Sequence, residues 1–307
     1  MGGARSLFIA AAAILWSADA LFRQPLTANL SALTIVFSEH LLALVFVLPM
    51  LWHYRVGIRL LTKRQWGALA FIGIGASALA TVAFTASFSY VSPSVSILLQ
   101  KLQPLFTFIL AFLILREKLP KNFWRWALLA LVGAYLVSFP EIIPRLALYQ
   151  PGVKGVFLAI TAAALWGSAT VFGRYLLHGI PFPLVTALRF TVALPFLGLL
   201  LWMSTGASAF VNISTRDWLY LTIIMLGPGF GAMYLYYRGL EVTKASMSAI
   251  LELTWPLSAV VLNWIFLRES LGWVQIVGGL VLLVAIARLT IWPPHTAANQ
   301  PTSTSTV

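Results

Sequence analysis

The sequence predicts an all-α integral membrane protein whose ten transmembrane helices form two inverted five-helix repeats. Three observations carry that reading. Over 307 residues, 60% are hydrophobic, only 9% are charged and mean hydropathy is +0.92. Apolar stretches near the ~20 residues that a helix needs to cross a bilayer recur along the chain. Finally, segments of the first half return in the second. Lipid offers no hydrogen bonds to a backbone, so spanning segments that satisfy their own are helices.

The apolar segments fall at 6–22, 30–52, 66–89, 94–115, 122–140, 153–175, 183–204, 216–237, 246–267 and 271–292. The first resembles a signal-peptide core, but membrane segments follow it without a soluble region, so it reads as a retained helix. Lys and Arg favour short cytoplasmic loops. With the N-terminus inside, thirteen of the twenty bases fall on the cytoplasmic side and five opposite, the latter being Arg23, Arg145, Lys154, Arg216 and Arg268. Both termini are therefore placed in the cytoplasm, with the chain in the cell (inner) membrane. The net charge of +12 follows this topology and marks no nucleic-acid surface, because the bases flank apolar helices.

The repeat appears twice. AAAILW at 11–16 returns as TAAALW at 161–166, and SVSILLQKLQPLFTFILAFLILREKL at 94–119 aligns without gaps to SMSAILELTWPLSAVVLNWIFLRESL at 246–271, with ten identities. Five helices per copy is odd, so the second copy lies upside down in the membrane. The organisation is a first repeat over 1–140, a linker over 141–152, a second repeat over 153–292 and a disordered polar tail over 293–307. Inverted repeats suit a carrier, since two equivalent halves exchange roles around a midplane site.

These residues carry a family resemblance. Leu15-Trp16-Ser17 and Leu165-Trp166-Gly167 resemble the opening pattern of the EamA-type members of the drug/metabolite transporter superfamily. So does a proline followed thirteen residues later by Glu-x-Leu, seen as Pro104, Glu117 and Leu119 and again as Pro256, Glu269 and Leu271. Arg189-Phe190 is similar to the Arg-Phe of the second helix in each half, where the first half carries Glu39-His40 instead. The resemblance spans 6–292 and implies an exporter of metabolites or drugs.

An ionisable group near the bilayer midplane costs at least ~2.5 kcal/mol, so it faces a partner or water. Glu39, His40, Lys101, Arg189 and Glu252 lie there, with Asp19 nearer the end of the first helix. The repeat aligns Glu39 with Arg189, and Gln100-Lys101 with Glu252-Leu253. Two readings follow. Glu39 can meet Arg189, and Lys101 can meet Glu252, as cross-repeat ion pairs; or these groups bind a charged cargo in a central cavity, a zwitterion suiting the balance. Glu39 and His40 are the candidates for proton coupling, His40 having an ordinary pKa of ~6.5.

Trp16 and Trp166 occupy equivalent, deep positions, and Trp255 and Trp264 are placed inside as well, so that Trp16, Trp166 and Trp255 are candidates to stack on cargo or simply to pack. Pro104 and Pro256 recur at equivalent places and are the hinge candidates, together with Pro228 of the GPGFG segment at 227–231. Gly227 and Gly231 there have the G-x-x-x-G spacing of close helix packing.

The absence of cysteine removes disulfides and thiolate sites, and the four scattered histidines form no catalytic or metal set. No enzyme, cofactor or metal is expected. The expected partners are a small molecule and the lipid bilayer, with the chain a monomer or a homodimer. The leading function is export of small amphipathic metabolites, amino acids among them, by alternating access. The alternatives are uptake or exchange of an anionic solute such as a nucleotide sugar or organophosphate, and a channel or other non-transporting membrane protein.

Overall fold

The computed structural model describes residues 2–115, 119, 122–138, 151–177, 179–204, 210, 213–232, 235–236 and 254–291. All regular structure among them is helical. The first half comprises α1 (Gly2–Ser17), α2 (Asp19–Leu26), α3 (Ala32–His53), α4 (Arg55–Arg59) and α5 (Lys63–Ala70), then a π-helical stretch π1 (Phe71–Ala80). It continues with α6 (Thr81–Ser87), α7 (Pro93–Gln100), α8 (Gln103–Leu115) and α9 (Phe123–Ser138). The second half has α10 (Pro151–Leu177), α11 (Phe182–Ser204), α12 (Thr215–Ile224), π2 (Met225–Gly231), α13 (Thr254–Phe266) and α14 (Trp273–Ile291).

Helix starts follow local chemistry. Ser31 and Ser92 accept from the backbone N–H groups of Thr34 and Val95, and Pro93 opens α7 where its missing N–H costs nothing. Thr62 with Gln65, and Ser214 with Asp217, form capping boxes. Five segments are long and apolar enough to span a membrane: Leu7–Leu26, Ala32–His53, Lys63–Ser87, Pro151–Gly173 and Phe182–Ser204. Phe123–Ser138, Thr254–Phe266 and Trp273–Leu289 are shorter apolar helices. Large apolar side chains such as Leu113, Trp124, Phe157 and Trp273 face outward, as lipid-facing residues do.

Three predicted helices differ in detail. The first runs on through Leu26 and is interrupted at Ala18, where the Ser17 hydroxyl donates to the Ile14 carbonyl (2.6 Å). The fourth breaks at Lys101 and Leu102, because Pro104 has no N–H to offer the Gln100 carbonyl and its ring crowds that turn. The third contains π1. The 152-residue offset of the longer repeat carries 71–80 onto 223–232, which contains π2, so both halves widen the same helix at the same place. π turns of this kind concentrate at functional sites.

The halves interlock. Leu98, Leu102, Ala130, Ala163 and Leu282 share one core, built by α7 and α9 with α10 and α14. Gly133 and Gly278 bring α9 and α14 together so closely that a Cβ on Gly278 would stand 2.6 Å from the Leu136 Cβ and 2.9 Å from the Gly133 carbonyl oxygen. Gly167 sits likewise against the Gln103 carbonyl. Gly227, expected to mediate close packing, has nothing within 4 Å of such a Cβ. Gly229 and Gly231 relieve crowding within π2, where a Cβ would press on the carbonyls of Ile224 and Leu226.

Candidate functional site

Arg23 is the largest departure from expectation. The charge count placed it in a loop, but the extension of α2 carries it inside the bundle at 5% exposure. One helical turn from Asp19, its Nε donates to Asp19 Oδ2 (2.6 Å) and its Nη2 to Asp19 Oδ1 (2.8 Å). Nη2 also donates to Glu39 Oε2 (3.3 Å), Nη1 approaches Glu39 Oε1 (2.8 Å), and Nη1 donates to the Thr85 hydroxyl (3.0 Å). One guanidinium thus ties α2, α3 and α6. Glu39 makes its ion pair with Arg23, not with Arg189.

Arg189 turns toward π1, where its Nε donates to the Ser77 hydroxyl (2.7 Å). The adjoining Ala76 carbonyl accepts from the Trp166 indole N–H (2.9 Å) and from the Thr81 hydroxyl (3.4 Å). Two side chains of the second half therefore address the π stretch of the first. Trp166 packs its ring on Phe84 (5.4 Å) and has spent its one N–H on the protein. His40 bonds within its own helix, Nδ1 to the Val36 carbonyl at 2.8 Å, and its ring lies 4.8 Å from Phe190. A carbonyl only accepts, so Nδ1 carries the proton. His40 Nε2 is buried without a hydrogen-bond partner.

The third group gathers at the break between α7 and α8. Lys101 Nζ stands 4.1 Å from the centroid of the Trp255 ring, a cation–π distance. Trp16 lies 6.0 Å from Trp255 and 5.3 Å from Tyr236. Three aromatic rings and one cation thus come from both halves. Gln100 Oε1 and Trp255 Nε1 are buried with no hydrogen-bond partner, an acceptor and a donor each open to one. Glu252, the proposed partner of Lys101, lies outside the described residues. Trp264, expected inside, is 65% exposed, because it lies on the face of α13 shared with the exposed Leu257 and Val261, turned away from the buried Pro256, Ala259 and Asn263.

Of the hinge prolines, Pro104 is the second residue of α8, just after the break at Lys101 and Leu102, and Pro256 lies within α13 and is buried. Pro228 lies within π2 and is buried. Beyond α13, Arg268 adopts a left-handed φ of 55° and turns Glu269 onto the other repeat. There Glu269 Oε2 accepts from the N–H (3.2 Å) and hydroxyl (2.7 Å) of Ser94, which also accepts from Asn263 Nδ2 (3.1 Å).

Sequence reasoning missed Arg23, Thr85, Ser77 and Tyr236. The Asp19–Arg23 spacing of four was the available signal for the first. The others are uncharged side chains that only the packing singles out. Among the described residues no three His, Asp or Glu side chains gather as a metal site.

Comparisons with known proteins agree with this architecture. The EamA-like transporter family matches twice, over residues 5–139 and 153–291. The riboflavin transporter ImpX of Fusobacterium nucleatum is 30% identical over 290 residues, covering 92% of this chain and 96% of the relative. An uncharacterized transporter of Bacillus subtilis, YetK, is 27% identical over 250 residues, 78% of this chain and 72% of its own. A crystal structure shares the fold with a TM-score of 0.63 at 17% identity, covering 93% of this chain and 96% of the other. The chain is a multi-pass membrane transporter, not an enzyme, and it belongs to the EamA-like transporter family.

Proposed function

We propose that this transporter is a secondary carrier for a small metabolite built on a planar heteroaromatic ring, of the riboflavin class. It moves its cargo by alternating access between two inverted repeats, with both termini in the cytoplasm. The observation that supports this reading is the cluster of Trp16, Trp255 and Tyr236 beside Lys101, with the unused indole N–H of Trp255 among its rings. Aromatic rings hold a flat ligand by its faces. The unpartnered N–H would donate to an acceptor on the ring edge. The riboflavin transporter relative supports the same ligand class.

The break at Lys101 and Leu102 supports a site at this depth, since carriers place cargo where spanning helices are interrupted. Arg189 and Trp166 brace π1 from the second half, Pro104 and Pro256 are the hinges about which the halves would rock, and Glu39 and His40 remain the coupling candidates. Export of small amphipathic metabolites, amino acids among them, and exchange of anionic solutes, the readings expected from the sequence, differ in cargo. Proteoliposome counterflow separates them. Riboflavin preloaded inside should accelerate entry of labelled riboflavin, with amino acids and organophosphates failing to compete. Competition by an amino acid instead would restore the zwitterion reading, and flux indifferent to internal riboflavin would reject the riboflavin carrier.

A further inference from the structure

The Asp19–Arg23–Glu39 cluster has two carboxylates and one guanidinium, so with both acids ionised it holds one negative charge in excess, with Glu39 buried and Asp19 partly open. The two acids are not held alike. Asp19 accepts two well-formed hydrogen bonds from Arg23, at 2.6 and 2.8 Å, within one helix. Glu39 accepts one at 3.3 Å from a different helix, and its Oε1, although 2.8 Å from Nη1, is buried without a hydrogen bond. Glu39 is 8% exposed and Arg23 5%.

Among the described residues, the other ionisable groups on the neighbouring elements are engaged or distant. His40 follows Glu39 on α3, but its Nδ1 serves the Val36 carbonyl and its ring faces Phe190. Arg189, the one ionisable residue of α11, directs Nε to Ser77. On α12, Asp217 is spent in the Ser214 cap, and Arg216 bonds to Tyr220. Arg5 lies at the far end of α1, while π1, α6, π2 and α13 carry no ionisable side chain.

We propose that this cluster is a proton-binding site in which Glu39 Oε1 takes the proton and Asp19 is the permanent counter-ion of Arg23. The guanidinium already stands between the two carboxylates, which disfavours a metal cation there and leaves a proton as the charge that fits. A proton from water adds to a lone pair of Oε1, no covalent bond breaks, and the cluster passes from net negative to neutral. Neutral Glu39 no longer holds Arg23 as an ion pair. The tie between α2 and α3 loosens, while the ties to Asp19 and Thr85 remain. The proton is thereby linked to the separation of two helices of the first repeat. This proposal rests on the carrier reading for its role in transport but not for the site itself.

Two measurements on the full-length protein test it. Infrared difference spectra recorded across a pH titration without cargo should show a titrating carboxyl band that is absent in Glu39→Gln and retained in Glu39→Asp. In proteoliposomes, the ratio of riboflavin accumulation driven by a pH gradient to riboflavin counterflow should fall at least tenfold in Glu39→Gln. A band that persists in Glu39→Gln, or a folded Glu39→Asp that lacks one, overturns the proton site. Should Glu39→Gln fail to fold, Glu39→Asp decides the matter. A wild type with the band but no riboflavin counterflow overturns the cargo assignment and leaves the proton site standing.

Discussion

Glu269 accepts from both the backbone N–H and the hydroxyl of Ser94, the second residue of α7 and 175 residues earlier, and so helps to cap that helix. A loop of the second repeat therefore closes a helix end of the first. The sequence motif Pro256, Glu269, Leu271 acquires a physical meaning: the acid sits thirteen residues beyond the proline because α13 and the Arg268 turn deliver it there.

Replacing Glu269 by Ala should lower stability by about 0.5 to 2 kcal/mol, the range for a lost helix cap. Glu269→Gln retains an oxygen acceptor and should lose less. Thermal unfolding of the purified protein in detergent checks the order of the two.

Burial pushes the Glu269 carboxyl above its ordinary range, with the two Ser94 hydrogen bonds opposing the rise. A raised acid stabilises the fold fully below its unfolded value, and that contribution fades as pH climbs through the folded one. Thermal stability should therefore decline across that interval in the wild type, and Glu269→Gln should remove this part of the slope. An unchanged slope in the variant assigns the decline to another group.

Arg23→Gln strands the buried Glu39 and the half-buried Asp19 without their shared cation. Breaking a buried ion pair by removing one partner costs about 3 to 5 kcal/mol. The triple variant Asp19→Asn, Arg23→Gln, Glu39→Gln removes all three charges and should recover a large part of that loss. Chemical denaturation of the two variants in parallel reads the difference.

Gly278→Ala forces a methyl group against the Gly133 carbonyl and Leu136, and overpacking of this kind costs about 1 to 3 kcal/mol. Gly227→Ala meets nothing within 4 Å and should stay within about 0.5 kcal/mol of wild type. Equal losses in a paired melting experiment would contradict the packing described for α9 and α14.

Trp255→Ala removes a ring that contacts both Trp16 and Lys101, so riboflavin counterflow should require a concentration about two- to tenfold higher to half-saturate, in line with the ~0.5–1.5 kcal/mol of an aromatic pair. Trp264→Ala, on the exposed side of the same helix, should leave half-saturation in place. The contrast reads a cargo contact against a general effect on α13.

The membrane class, the helical content and the duplication were legible because they rest on composition and periodicity, which need no partner. The site was only partly legible. Lys101 and Trp255 were both singled out, yet nothing in the sequence says that one stands over the other. Glu39 was recognised as a buried acid in want of a base, but repeat alignment chose Arg189, the symmetric residue, over Arg23, the near one. Trp264 was placed inside for its depth along the predicted span, and the face of α13 decided otherwise.

By itself the sequence determined that this chain lives in a bilayer as helices and that its second half restates its first, since hydropathy and spacing act locally along a chain. Tertiary structure alone decided which charges meet. Ion pairing depends on where a helix stops and how it is rotated. Four further residues of α2, with one turn of helix between Asp19 and Arg23, were enough to give Glu39 a different partner.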